Sequence, residues 1–102
     1  MNLSFVLLDP EDGMAMAIMP DASLRKLQAL VDADVIEIVN IKIQDHEYYL
    51  VVDENGIANR KPINYMASVV AGHCILGTAL AILPNDFKEM PFDMESENGT
   101  MQ

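Results

Sequence analysis

Apolar residues in this chain fall into short blocks with two different spacings, and the spacings predict the elements. Leu3 to Leu8 (LSFVLL) is an apolar run of strand length, stopped by Asp9-Pro10-Glu11-Asp12-Gly13. Pro, Asp and Gly supply a fixed φ, local side-chain hydrogen bonds and positive φ, so this is a turn. Met14 to Met19 (MAMAIM) reads as the return strand; Met and Ala favour helix, but the short length, the preceding turn and Pro20 tip it toward strand. After Pro20 the spacing changes. Leu24, Leu27, Leu30 and Val31 make one helical stripe, with Asp21 as the expected cap and Arg25 and Lys26 on the solvated side.

Alternation then returns. Val35 to Ile43 (VIEIVNIKI) and Tyr48 to Val52 (YYLVV) are two β-rich runs joined by the polar link Gln44-Asp45-His46-Glu47, which predicts a hairpin. Asn55-Gly56 is read as the positive-φ turn leaving the second strand. Asn64 before Tyr65 to Ala71 and Gly72 after it match the punctuation of a short helix at both ends. Cys74 to Ile82 is apolar apart from Gly77-Thr78, and predicts a buried strand with a bulge at the glycine.

Together these give an α+β domain in the order β-β-α-β-β-α-β. The expected architecture is a mainly antiparallel sheet of five or six strands with two helices on one face. Its core is expected to hold Phe5, Leu7, Leu24, Leu27, Leu30, Ile36, Ile38, Leu50, Val52, Val70, Ile75, Leu80 and Ile82. At 102 residues, 51% of them hydrophobic, the chain makes one such domain without needing a disulfide or structural metal. Residues 1–83 form the expected folded unit. Residues 84–102 carry five acids and one base and read as an acidic tail, disordered beyond Asp93.

Charge narrows the function classes. Sixteen acidic residues against six basic ones give a net charge of −10. Such a surface repels nucleic-acid phosphates and anionic membranes and attracts basic surfaces, although solubility alone also explains it. The single cysteine, Cys74, excludes an internal disulfide and fits a reducing compartment. There is no leader pattern, and no apolar run approaches the roughly 18 residues that span a bilayer. A cytoplasmic protein is the expectation.

Catalytic motifs are not found. There is no glycine-rich phosphate loop, GxSxG elbow or paired acids with a cleft, and the expectation is a non-enzyme without cofactor. The turn acids Asp9, Glu11, Asp12, Asp32 and Asp34 lack the spacing of a calcium loop. They read as solvated, or as a face for a basic partner. His46, His73 and Cys74 have no zinc spacing, and Cys74 reads as a small buried hydrophobe. Met14, Met16, Met19 and Met66 read mostly as core filler. Met90, Met94 and Met101 sit among acids and could anchor the tail on a partner. One stretch suggests a ligand: Arg60 and Lys61 precede a helix start, with Asn59, Asn64 and Tyr65 beside them. The plainer reading is that Asn64 caps its helix and the cations are solvated.

The opening strand with DPEDG, the helix LRKLQALVDADVIEIV, the strand YLVVDENG, the KPINYMA helix start and GTALAI resemble a family of small uncharacterised proteins. That family is a domain of unknown function found in bacteria, phages, plasmids and large DNA viruses. The resemblance covers roughly residues 3 to 83. It implies a fold outline and a mobile-element setting, with no catalytic residues to carry over. The leading functional expectation is a non-catalytic interaction protein, in its most concrete form a counter-defence inhibitor of a host nucleic-acid-handling protein. Its partner is expected to be a host protein with a basic surface, with homo-oligomers left open and no direct nucleic acid or membrane. The alternative is a small-ligand binder that sequesters a nucleotide or other phosphate-bearing molecule.

Overall fold

A computed structural model of the chain describes residues 2–88 and 100–101. Strands β1 (Leu3–Asp9) and β2 (Gly13–Met19) form the expected hairpin. The Asp9 Oδ1 accepts from the N–H groups of Glu11 (2.8 Å) and Asp12 (2.9 Å), and Gly13 closes the loop at a φ of 82°. A side-chain-stabilised turn ending in a left-handed glycine suits a short hairpin connection.

Helix α1 (Leu24–Val31) is capped by Ser23, whose Oγ accepts from the Lys26 N–H at 3.2 Å. Asp21, the expected cap, lies two residues too early and has a φ of 51°. Leu27 and Val31 are buried, whereas Leu30 is 39% exposed, because the stripe is narrower than the four apolar positions suggested.

Strands β3 (Ile36–Ile43) and β4 (His46–Asp53) pair without a break from Ile36↔Asp53 to Ile43↔His46. Only Gln44 and Asp45 form the turn, at φ values of 48° and 69°. The expected link is shorter than its polarity implied: positive φ at both central residues makes the tight turn whose twist matches a hairpin, and His46 and Glu47 join the strand.

The sheet order is β2-β1-β5-β4-β3-β6, where β5 is Ala79–Ile82 and β6 is Thr100–Met101, and every pairing is antiparallel. The α+β class and the β-β-α-β-β-α-β order hold. The layering differs from the expectation. Leu3, Phe5, Leu27, Val31, Ile36, Val51, Leu80 and Ile82 form one core cluster under α1. Leu8, Ile41, Leu50, Val52, Ala79 and Ala81 form a second with Ala67 of α2 (Tyr65–Ala71). Alternate residues of β1, β4 and β5 divide between the two clusters, so the helices cover opposite faces. The reason is legible in the burial: Leu50 to Asp53 and Ala79 to Ile82 are buried consecutively, which needs both faces covered.

A further helix, α3 (Pro84–Lys88), closes the α1 side. Phe87 is fully buried there and meets the Tyr49 ring edge-on at 5.5 Å. The folded unit therefore runs past residue 83. Thr100 and Met101 pair with Glu37 and Ile36, so this end of the expected tail joins the sheet. Residues 89–99, with Met90 and Met94, lie outside the described residues.

Candidate functional site

The loop after β4 folds around one carboxylate. Asp53 Oδ1 accepts from the Asn55 N–H at 2.8 Å, and Oδ2 accepts from Asn59 Nδ2 at 2.8 Å and Lys61 Nζ at 2.9 Å. Lys61 Nζ also donates to the carbonyls of Val31 (2.7 Å) and Asp32, at the end of α1. An ammonium has three N–H donors, and all three are engaged. Free carbonyls at a helix C-terminus favour a cation, so Lys61 straps this loop to α1. Burial alone would raise the Asp53 pKa. The bonds from Lys61, Asn59 and the Asn55 N–H, with the Lys61 charge, outweigh burial and hold it below the usual carboxylate range.

One glycine makes room for this strap, and a second lets the loop pack closely on Leu76. Gly77 has a φ of 83°, and a Cβ there would stand 2.6 Å from Lys61 Cδ. Gly56 was expected at positive φ; the positive φ in this loop belongs to Arg60, at 56°. At Gly56 the constraint is close approach instead: a Cβ would stand 3.0 Å from Leu76 Cβ and 3.2 Å from Leu76 O, tighter than ordinary contact.

Asn64 is 1% exposed and its polar atoms are all engaged. Oδ1 caps α2 by accepting from the Ala67 N–H (3.0 Å), as its sequence position predicts. Nδ2 donates to the carbonyls of Leu8 (2.8 Å) and Gly77 (2.9 Å), and the Asn64 N–H donates to Ile75 O (2.8 Å). One side chain thus ties α2, β1 and the approach to β5 together.

The proposed ligand group is split by this geometry. Asn59, Arg60 and Lys61 line an open cleft of about 780 Å³ with Arg25, Gln28, Asp32 and Asp34. Asn64 is buried, and Tyr65 is exposed at the start of α2; neither is on the walls of that cleft. Lys61 faces the cleft with its charge already paired. Arg60 and Arg25 are the exposed cations there.

The acids converge more than the sequence implied. Asp9 and Glu11 from the β1–β2 turn and Asp32 from the end of α1 line one cleft of about 250 Å³, which Lys61 also lines. Asp34 lies on the wall of the neighbouring cleft, which Asp32 and Lys61 share. Asp9 is held by the turn N–H groups, which lower its pKa. Among the described residues, the side chains of Glu11, Asp12, Asp32 and Asp34 make no ion pair.

Cys74 and His73 occupy the loop before β5 and are both exposed, so Cys74 is not the buried hydrophobe expected. The strand begins later because Ile75 to Gly77 pair with Pro62 to Asn64 instead. No hydrogen bond or ion pair among the described residues joins His73 to Cys74. His46 is exposed at the start of β4. Among the described residues no group of three or more His, Cys, Asp and Glu could hold a metal, and no helix is long and apolar enough to cross a membrane.

One surface escaped the sequence reading. Met14, Met16 and Ile18 of β2 are 63%, 85% and 64% exposed, although the two methionines read as core filler; of that strand's methionines only Met19 is buried. They share the face of Val6 and Leu8 but lie beyond the cover of α2. The signal was present: MAMAIM has no polar face and no charged residue of the kind that commonly protects an edge strand.

This fold belongs to a known but functionally undefined family. The model of a domain of unknown function, DUF3846, matches residues 1–95, and the chain is a member of that family. No curated protein and no solved structure matches it.

Proposed function

We propose that the protein is a non-catalytic interaction module that docks its acidic end on a basic surface of a partner protein. The observation that carries this reading is the convergence of Asp9, Glu11 and Asp32, from turns far apart in sequence, around one cleft. Asp12 and Asp34 extend the same acidic region in the chain, and the net charge of −10 adds a long-range attraction for cations. A nucleic-acid-handling protein offers the matching surface, a groove built for phosphates, and inhibition by occupying that groove is the concrete form. A counter-defence role in a phage or mobile element would follow from such inhibition.

The test is a variant with Glu11→Gln, Asp12→Asn, Asp32→Asn and Asp34→Asn, used beside the natural chain as bait in cell lysate. Asn tolerates the left-handed conformation of Asp32, so the fold survives. The reading expects proteins that are captured by the natural chain, released by salt or added nucleic acid, and lost with the variant. Equal capture by both baits contradicts it.

The second reading, a binder of a phosphate-bearing small molecule, is favoured by the cleft that Arg25, Asn59 and Arg60 share. It is the weaker one. Asp32 and Asp34 on the same walls oppose an anion, and Asn64 and Lys61 have their polar groups engaged within the fold. Thermal-shift screening with nucleotides, repeated on Arg60→Ala, decides it.

A further inference from the structure

Strand β2 ends the sheet, and its outer edge pairs with no strand among the described residues. Alternate residues of an antiparallel edge strand turn their N–H and C=O groups outward. Proteins usually protect such edges with a lysine, a proline or a bulge. Gly13–Met19 has none of these: it holds no charged residue and no Pro, and its register with β1 runs unbroken from Leu3↔Met19 to Asp9↔Gly13. Beside this edge lies the exposed strip Met14, Met16 and Ile18, whose two methionines adapt readily to a partner.

Charge decides what fits. The strip is uncharged, and the exposed acids Glu11 and Asp12 precede it in the β1–β2 turn. A second copy fits badly. A β2 strand of another copy brings no base to these acids, because residues 9–24 hold no Lys or Arg. A strand with apolar residues in the middle and basic residues toward its ends complements both the strip and these acids.

We propose that β2 is a strand-addition site for an extended segment of a partner protein, apolar at its centre and basic at its flanks. This rests on the acidic-docking reading and gives it a binding mode: the acids orient the segment and the β2 main chain holds it.

The test is titration of the isotope-labelled full chain, followed by amide NMR, with a synthetic peptide of alternating valine and threonine with lysine at both ends. Two further peptides replace the lysines with glutamate or N-methylate the central valine. The expected result is binding, with shifts and slowed hydrogen exchange along Gly13–Met19. Each altered peptide should bind about tenfold more weakly, the N-methylated one through a lost main-chain bond. Met16→Lys, at an exposed position, should weaken binding similarly without changing thermal unfolding. If the lysine-ended peptide shifts only Glu11, Asp12, Asp32 and Asp34, strand addition is overturned while acidic docking stands. If neither this peptide nor polylysine binds, both fail. Protection of β2 that grows with protein concentration alone overturns the proposal in favour of a second copy.

Discussion

Lys61 Nζ lies 2.9 Å from Asp53 Oδ2, and the pair closes the loop after β4 onto the end of α1. The lysine that the chain presents beside Arg60 as a candidate for anion binding is therefore a structural tie. The Asp53 side chain is 1% exposed, so removing Lys61 leaves a buried carboxylate without its counter-charge.

Lys61→Met should lower unfolding stability by about 3 kcal/mol in urea denaturation, the usual cost of breaking a buried pair from one side. A free surface lysine would cost nothing measurable at the same position. An unchanged midpoint would return Lys61 to the candidate ligand residues.

Gly77→Ala should destabilise by more than about 1 kcal/mol, because Gly77 combines positive φ with close approach to Lys61. Part of that cost is the clash with Lys61 Cδ. In the Lys61→Ala background the same substitution should therefore cost less, giving a measurable coupling in a double-mutant cycle. Strict additivity would mean that backbone strain alone requires this glycine.

Asn64→Ala removes the α2 cap and leaves the carbonyls of Leu8 and Gly77 without their donor. The expected loss is about 2–4 kcal/mol by chemical denaturation. Asn64→Ser, which can restore the cap alone, should recover roughly 1 kcal/mol of it. Recovery of the whole loss by serine would show that the bonds to β1 and Gly77 contribute nothing.

The lowered pKa of Asp53 sets a pH dependence with a definite sign. Its folded-state value lies below the unfolded one, roughly 3.9. The stability it contributes is fully present above that value and is lost as pH falls through the folded pKa. Urea midpoints measured downward from about pH 5 should fall below about pH 4, and Asp53→Asn, already less stable, should show a shallower decline. Parallel declines would assign the acid sensitivity to other carboxylates.

The elements were legible because local chemistry and tertiary structure agree. The DPEDG hairpin, the Asn64 cap and Gly72 all use residues whose own side chains or backbone freedom determine the conformation. What local pattern could not reveal was which face each element covers. The runs LVVD and ALAI are buried on both sides, so their apolar continuity says two layers of cover, a signal easily mistaken for simple strand propensity. Leu30 and Met16 are apolar yet exposed, since neither composition nor spacing marks how wide a helix's buried stripe is or where its cover of the sheet stops. Likewise Arg60 and Lys61 look alike in sequence. Only the fold brings the α1 carbonyls and Asp53 to one of them.

The central claim is that the acidic end of this fold docks on a basic protein surface. Its most direct test is the affinity for a protein captured through that end, measured by calorimetry from about 0.05 to about 0.5 M salt. Affinity should fall steeply as salt screens the attraction, and the variant neutralised at Glu11, Asp12, Asp32 and Asp34 should bind weakly with little salt dependence. Equal affinity across that range, shared by the natural chain and the variant, would contradict the account.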